Sequence, residues 1–535
     1  MTRVYDWIGI SRSVSRLIEE LMGKWKTRLE IWNGKDKVTS RWIQILCGFL
    51  QGDSYSPVGF CISEIPVCIL LQHSRGYRMG GPGNCLVSRT HSLFVDDLKV
   101  YQESHLALET VNDTIVQASH DTGACYGISK CSEIIFKNGK MVRGEGLQVL
   151  EERMKTMDPD ENKSYKFLGI KQADGIRTKA VYKRVMEEVS KRIELLTKTE
   201  LNDANLIKAI NTKVIPAATY VMNVCKFTIA ELKELDQIVK KELRRKYMLG
   251  RQASDERLYL KRERGGRGLK SMRDAYKETR LRVACYMATS TNKWIRAAWR
   301  REQNKEENAI IVESMLTMNE VGVQLRFEDD SIRLDDEVMA LEEEYKATWK
   351  KVKMSLQKAT ETKRIEIYKT KVQQSQFYSE QEEECHTWLK QNLHGRKTSS
   401  IMMMLEQMVE TKSWKVSRGL TQDKRCRVCH ERDETIEHII AGCKVLANSE
   451  YLSRHNRALM IMAVNWAKDY ELVDQEMIWY KERWERGMVL ENDRGKLIWD
   501  FEFNLRKTTT ARRPDIILED KKKKKIWICD MAYPQ

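Results

Sequence analysis

Seven prolines in 535 residues leave few obligatory breaks in the backbone, so long helices are expected to dominate. Nor does any stretch approach the roughly 18 uninterrupted apolar residues that cross a bilayer as a helix. The longest, Val58 to Leu71, reads as a mostly buried helix and is interrupted by Ser63, Glu64 and Pro66. Met1 is not followed by the charged, apolar and small-residue pattern of a secretory signal. The expected location is therefore intracellular, in nucleus or cytoplasm, with no membrane partner. Cysteine is present but unframed: 13 is an odd number, and Cys47, Cys61, Cys68 and Cys85 lie in apolar segments as reduced core residues would. Internal repeats and low-complexity linkers are missing too. Negative charge is in deficit, with 77 Asp plus Glu against 93 Lys plus Arg and a formal charge of +16. Such a balance favours a polyanionic partner, nucleic acid ahead of a membrane surface. What remains, 41% hydrophobic and 32% charged residues, suits a helix-rich globular chain of three or four domains.

Against that background, Phe94, Val95, Asp96 and Asp97 stand out. Adjacent carboxylates repel, and a divalent cation between them relieves the repulsion; a solvated turn at the end of a strand does so as well. Upstream, Gly48 to Pro57 forms a polar loop in which Gln51, Gly52, Asp53, Ser54 and Pro57 combine short side chains with a backbone that a large ligand can approach. Polar loop, helix, strand and paired Asp in this order resemble the palm of a reverse transcriptase of the non-LTR (LINE-like) retrotransposons. That family carries a GxxQGDxxSP loop followed by an aromatic-x-Asp-Asp hairpin. Two further segments extend the likeness. Tyr126 to Glu133, with Phe136 and Lys140, is similar to the stretch whose lysine approaches the incoming nucleotide, here Lys130, although a plain surface lysine has the same sequence. Tyr165, Phe167, Leu168 and Gly169 resemble the turn that grips the primer end, and a simple alternating strand would also read this way.

Cys426, Cys429, His438 and Cys443, separated by two, eight and four residues, suit tetrahedral zinc: the paired cysteines chelate from one tight turn and the other two from a short helix and its end. His430 is a possible competitor. The arrangement resembles the CCHC knuckle that follows the polymerase in R2-like retroelement proteins. Near the C-terminal end, Ile516 to Leu518 and Ile526 to Ile528 form an expected hairpin around a turn from Glu519 to Lys525. Antiparallel pairing brings Asp515 and Asp530 to one end of it. This is similar to the PD…D core of the restriction-like endonuclease of the same elements, in which two acids hold Mg²⁺ and a later lysine assists the water. Lys521 to Lys525 lie in the turn and read as a solvated tip. Arg257 to Tyr276, in which Lys261, Arg262, Arg264, Arg267 and Lys270 surround Gly265, Gly266 and Gly268, could either hold a phosphate or simply reverse the chain.

The expected class is α+β, helix-rich and multidomain. Residues 1–178 form a partial palm without fingers or the first aspartate motif, and 179–290 a basic helical thumb-like region interrupted at Pro216. Residues 291–410 form a charged helical linker, 411–465 the zinc-knuckle region, and 485–535 the start of the endonuclease. The resemblance implies RNA-directed DNA polymerase chemistry, target-primed reverse transcription in an intact parent protein, with Mg²⁺ on Asp96 and Asp97, structural Zn²⁺, RNA template, target DNA or RNA–DNA duplex, and dNTPs. A third carboxylate, expected on a strand ahead of the loop, has no clear counterpart; Asp6 lies in the wrong kind of segment. The chain thus reads as a piece truncated at both ends and inactive as a fragment. The alternative is a catalytically dead, domesticated nucleic-acid-binding protein.

Overall fold

Helices form where apolar residues recur at three and four positions, and the short strands pair mainly as local hairpins. The computed structural model describes all residues except 1, 35, 47, 51, 80–86, 123–126, 150, 158–163, 306–308, 329–330, 341–343, 371–382, 504–511 and 533–535. Cys47, Gln51, Cys85 and Tyr126, all named above, lie outside the described residues. At 50% helix and 16% strand the chain is mixed, as an α+β protein is. Among the described residues no helix is both long and apolar enough to cross a membrane. The chain divides into two units.

The first unit contains Met1–Tyr247, Asp255–Tyr368 and Glu383–Gly395. Near its start, two helices, Ser56–Ser63 and Ile65–Gln72, replace the single expected helix. Pro66 sits in the first turn of the second, where a proline is well tolerated. Of the large apolar residues in this pair only Val67 and Leu71 are buried, while Val58 and Leu70 are exposed, so the expectation of a mostly buried helix is corrected. Val67 and Leu71 pack on Val111 and Ile115 of helix His105–Thr122 and on Leu98 and Val100.

Helix Thr178–Leu196 buries Val181, Val185, Val189 and Ile193 at four-residue spacing, one apolar face of an amphipathic helix. Helix Asp203–Ala209 passes through a wide π turn, Ile210–Val214, into Ile215–Met222. Pro216 therefore does not end the helical path: the wide turn loosens the hydrogen-bond ladder where proline cannot donate. Thr228 and Glu231 form a reciprocal cap that starts helix Ile229–Arg245.

Between this helix and Met272–Thr289 lies the glycine-rich segment. Gly265 and Gly268 adopt φ of 77° and 76°, and a side chain at Gly266 would strike the Leu260 backbone. Arg267 is buried against the fully buried Asp203, to which Arg262 also donates at 2.8 Å. Lys261 pairs with Glu361 at 2.9 Å. These three cations are engaged internally and brace the chain reversal, while Arg264 and Lys270 are exposed.

Within 291–410, three strands interrupt the expected run of helices: Leu325–Phe327, Ser331–Leu334 and Glu337–Ala340, all antiparallel. Ile332 and Leu334 are buried while Arg333 points outward, an alternation of period two that the dense charge obscures in the sequence. The sheet packs with Leu281 and Cys285, with Trp299, and with Val352 of helix Tyr345–Lys369.

The second unit contains Met248–Ser254, Lys369–Glu382 and Arg396–Gln535. Strands Val489–Glu491, Gly495–Trp499, Ile516–Asp520 and Lys525–Cys529 form an antiparallel meander in sequence order. The second and third alternate buried and partly exposed residues. Helix Leu452–Asp469 lays Leu459, Ala463, Val464 and Ala467 against Leu497, Trp499, Ile516 and Leu518. The expected hairpin is thus present with slightly longer strands, and two strands and a packed helix accompany it.

Candidate functional site

Arg425 and Asp433 bridge as antiparallel partners, closing a tight knuckle. Inside it the Cys426 N–H donates to the Arg432 carbonyl at 2.7 Å, and the His430 N–H to the Cys426 carbonyl at 2.9 Å. His430 takes the left-handed conformation, φ 58°, which turns the chain back after Cys429. The other two ligands flank a π turn, His438–Gly442, with Cys443 immediately after it. Tyr451 fixes that end, its hydroxyl accepting the Cys443 N–H at 3.0 Å and lying 2.8 Å from the Ile439 carbonyl to which it donates.

The result is convergence: one donor atom each from Cys426, Cys429, His438 and Cys443 all lie within 4.8 Å of one another, and Cys429 Sγ is 3.3 Å from His438 Nε2. Tetrahedral zinc, with bonds of about 2.3 Å to sulfur and 2.0–2.1 Å to nitrogen, needs ligand atoms about 3.5–3.8 Å apart. Three thiols and one imidazole at this separation fit zinc, and the four residues could hold it. Burial pushes the Cys426 thiol up, whereas backbone N–H groups of Arg432 and Glu431 bring Cys429 down to about 6, favouring thiolate at neutral pH. His430, the possible competitor, is exposed and outside the cluster.

Glu434 braces the knuckle and was not singled out by the sequence. Its side chain is 1% exposed and accepts N–H groups from Lys412 at 2.9 Å and Arg427 at 2.9 Å, plus a two-pronged contact from the Arg427 guanidinium at 2.8 and 2.5 Å. That guanidinium, ahead of the backbone donors, holds the Glu434 carboxyl down at about 2.

In the first unit, strands His91–Phe94 and Asp97–Val100 pair with Phe94 opposite Asp97, leaving Val95 and Asp96 as a two-residue turn. Val95 has φ 56°, a strained conformation for a β-branched residue, and Asp96 and Asp97 are both exposed beside it. The upstream loop is also tightly turned: Gly48 and Gly52 have φ 88° and 97°, Asp53 accepts the Tyr55 N–H at 2.8 Å, and Pro57 lies in the first turn of helix Ser56–Ser63. Ser54 is exposed.

Tyr165–Phe167 and Ile170–Gln172 form a second hairpin around Leu168 and Gly169, both left-handed, φ 46° and 74°. Tyr220 donates to the Leu168 carbonyl at 2.7 Å. Lys99 ties the two hairpins together. Its ammonium bonds the Tyr165 hydroxyl and donates to Gln172 at 3.1 Å, with the Tyr165 and Phe167 rings 5.1 and 5.3 Å away. Strand alternation places Lys99 on the same face as Asp97, a signal that could have pointed to it. Lys130, on the single turn Ile128–Lys130, is exposed, and among the described residues no hydrogen bond or ion pair joins its ammonium to Asp96 or Asp97.

At the sheet of the second unit, Ile516 pairs with Cys529, so Asp515 and Asp530 meet at one strand end as expected. His455 Nε2 lies 3.2 Å from Asp515, which also accepts the Met531 N–H at 2.7 Å. Burial raises the Asp515 carboxyl and neighbouring Asp530 adds to it, while His455 opposes. The lysine-rich turn sits at the opposite end of these strands, with Lys521 paired to Glu491 at 2.6 Å.

These four ligands lie in a recognisable segment. Residues 346–449 match the family described as zinc-binding in reverse transcriptase. The match includes the whole CCHC cluster and most of helix Tyr345–Lys369, and relates the chain to reverse transcriptases. No curated protein matches the chain.

Proposed function

We propose that this chain is the reverse-transcriptase region of a non-LTR, R2-like retrotransposon protein, with its zinc segment and a nuclease-like sheet following the polymerase. The observation that carries the reading is the match of the zinc segment to the reverse-transcriptase family around four converging ligands. The strained carboxylate turn and its link through Lys99 to the second hairpin add support from a separate part of the chain.

In this reading Asp96 and Asp97 would be the residues that hold Mg²⁺ for nucleotidyl transfer, the Leu168–Gly169 turn would support the primer end, and Gln51 to Pro57 would line the template and nucleotide. Mg²⁺ supplies the charge that stabilises phosphoryl transfer. Lys130 approaches the leaving pyrophosphate, Asp515 and Asp530 form the nuclease pair, and the basic helices from Thr178 to Arg245 face the duplex backbone. Two carboxylates are fewer than this chemistry usually employs. The 535-residue polypeptide alone is therefore expected to bind an RNA-templated primer with strong salt dependence and to extend it little or not at all. Primer extension with dNTPs and Mg²⁺, run beside a binding titration, tests this. Robust extension abolished by Asp96→Ala overturns the inactivity and upholds the family reading; absence of binding at low salt overturns both this reading and that of a domesticated nucleic-acid-binding protein.

A further inference from the structure

The hairpin near the start of the first unit keeps its tryptophans outside. Strands Glu30–Asn33 and Asp36–Thr39 pair with Trp32 opposite Lys37, and Lys26–Thr27 pairs with Ile43–Gln44 beside Trp42. Trp32 is 65% exposed and Trp42 63% exposed. Ile31 and Val38, on the opposite face of the hairpin, are 65% and 64% exposed as well, so exposure alone does not set the indoles apart; the cations against their rings do.

The Lys37 ammonium lies 5.5 Å from the Trp32 ring and the Arg28 guanidinium 5.0 Å from the Trp42 ring. Glu30 holds both cations, at 2.9 Å from Lys37 and 2.8 Å from Arg28. The sequence of groups is indole, cation, carboxylate, cation, indole. Around it Lys24, Lys26 and Arg41 are exposed, so five described cations stand against Glu30 and Asp36. An apolar protein partner would not require this charge excess; a polyanion with flat apolar rings matches both halves of the surface. Bases in a duplex are stacked on one another, whereas those of a single strand can offer their faces to an indole.

We propose that this hairpin is a stacking platform for single-stranded nucleic acid: Trp32 and Trp42 take unstacked bases, Arg28 and Lys37 hold the rings and flanking phosphates, and the outer lysines and Arg41 attract the backbone. The platform uses none of the residues assigned to polymerase or nuclease chemistry and stands or falls separately from that reading.

The test is fluorescence anisotropy of the full chain with labelled oligo(dT), oligo(U), an abasic deoxyoligonucleotide of equal length, and an RNA–DNA hybrid. Trp32→Ala and Trp42→Ala are each expected to weaken binding of the two base-bearing strands by about 5- to 100-fold, leaving abasic-strand and hybrid affinity unchanged. Because both rings are exposed, the circular dichroism spectrum stays that of the parent, and the Trp32→Phe/Trp42→Phe double variant retains most of the affinity. Loss with either oligo(dT) or oligo(U) supports the platform. Unchanged affinity for both, an equal loss for the abasic strand, or a variant that only abolishes self-association overturns it, the last by showing a protein interface instead.

Discussion

Replacing Glu434 by glutamine keeps the shape of the side chain and removes its charge, and the consequences for the zinc knuckle can be worked from its four N–H contacts. The parent carboxylate is buried and receives the Lys412 and Arg427 amides and both prongs of the Arg427 guanidinium. Its pKa, held at about 2, is roughly 2.5 below the ordinary glutamate value. At about 1.4 kcal/mol per unit that is on the order of 3 kcal/mol in favour of the folded knuckle, reduced to about 2 because Arg427 is itself half-exposed. The sign is fixed by the lowered pKa: the contribution is complete above about 4.5 and disappears as pH falls through about 2. At pH 7 it is therefore fully present in the parent and missing in Glu434→Gln. If opening of the knuckle limits metal loss, zinc should pass to excess chelator about 30-fold faster in the variant. The assay is the time course of zinc release at pH 7, followed with a colorimetric chelator. A half-time within twofold of the parent would show that the buried carboxylate does not hold the knuckle and refute the reasoning.

Four further outcomes are expected. His430→Ala leaves zinc content unchanged by elemental analysis, since His430 is exposed and outside the ligand group. Arg267→Ala leaves the buried Asp203 short of its main partner and lowers the stability of the first unit by about 3–5 kcal/mol in urea denaturation. Burial raises the Asp236 carboxyl to about 6, so its ionisation opposes folding increasingly from about pH 3.8 to 6. Asp236→Asn, which keeps an oxygen for the Met272 N–H, should flatten that dependence and raise stability at pH 7 by about 1–3 kcal/mol, read as unfolding midpoints at pH 4.5 and 7. Lys99→Met breaks the link between the two hairpins, and hydrogen exchange of amides in 165–172 should speed up by about tenfold while that of the second unit is unaffected.

Local pattern made much of this legible. The four-residue spacing of Val181, Val185, Val189 and Ile193 specifies a helix seam, and close spacing of Cys426 and Cys429 with His438 and Cys443 specifies a ligand set, because in each case the partners lie within a few turns of chain. The terminal hairpin was readable for the same reason: the expected turn, Glu519 to Lys525, is flanked by two short apolar runs. Features built from distant residues were not readable. Lys99 acquires its role only when Tyr165 and Gln172 fold against it, and Glu434 only when Lys412 and Arg427 do. The sheet from Leu325 to Ala340 was hidden because its strands are only three or four residues long and charged residues such as Arg326, Arg333 and Glu337 sit within them. Residues 452–465, grouped with the zinc knuckle by their position in the sequence, belong to helix Leu452–Asp469, whose apolar face covers the terminal sheet.

The account depends most on the zinc-binding segment, and metal analysis of the purified 535-residue protein addresses it directly. One zinc per chain is predicted for the parent and none for Cys426→Ser. A parent that holds no zinc, or a Cys426→Ser variant that retains a full equivalent, would contradict the assignment of Cys426, Cys429, His438 and Cys443 as the ligands.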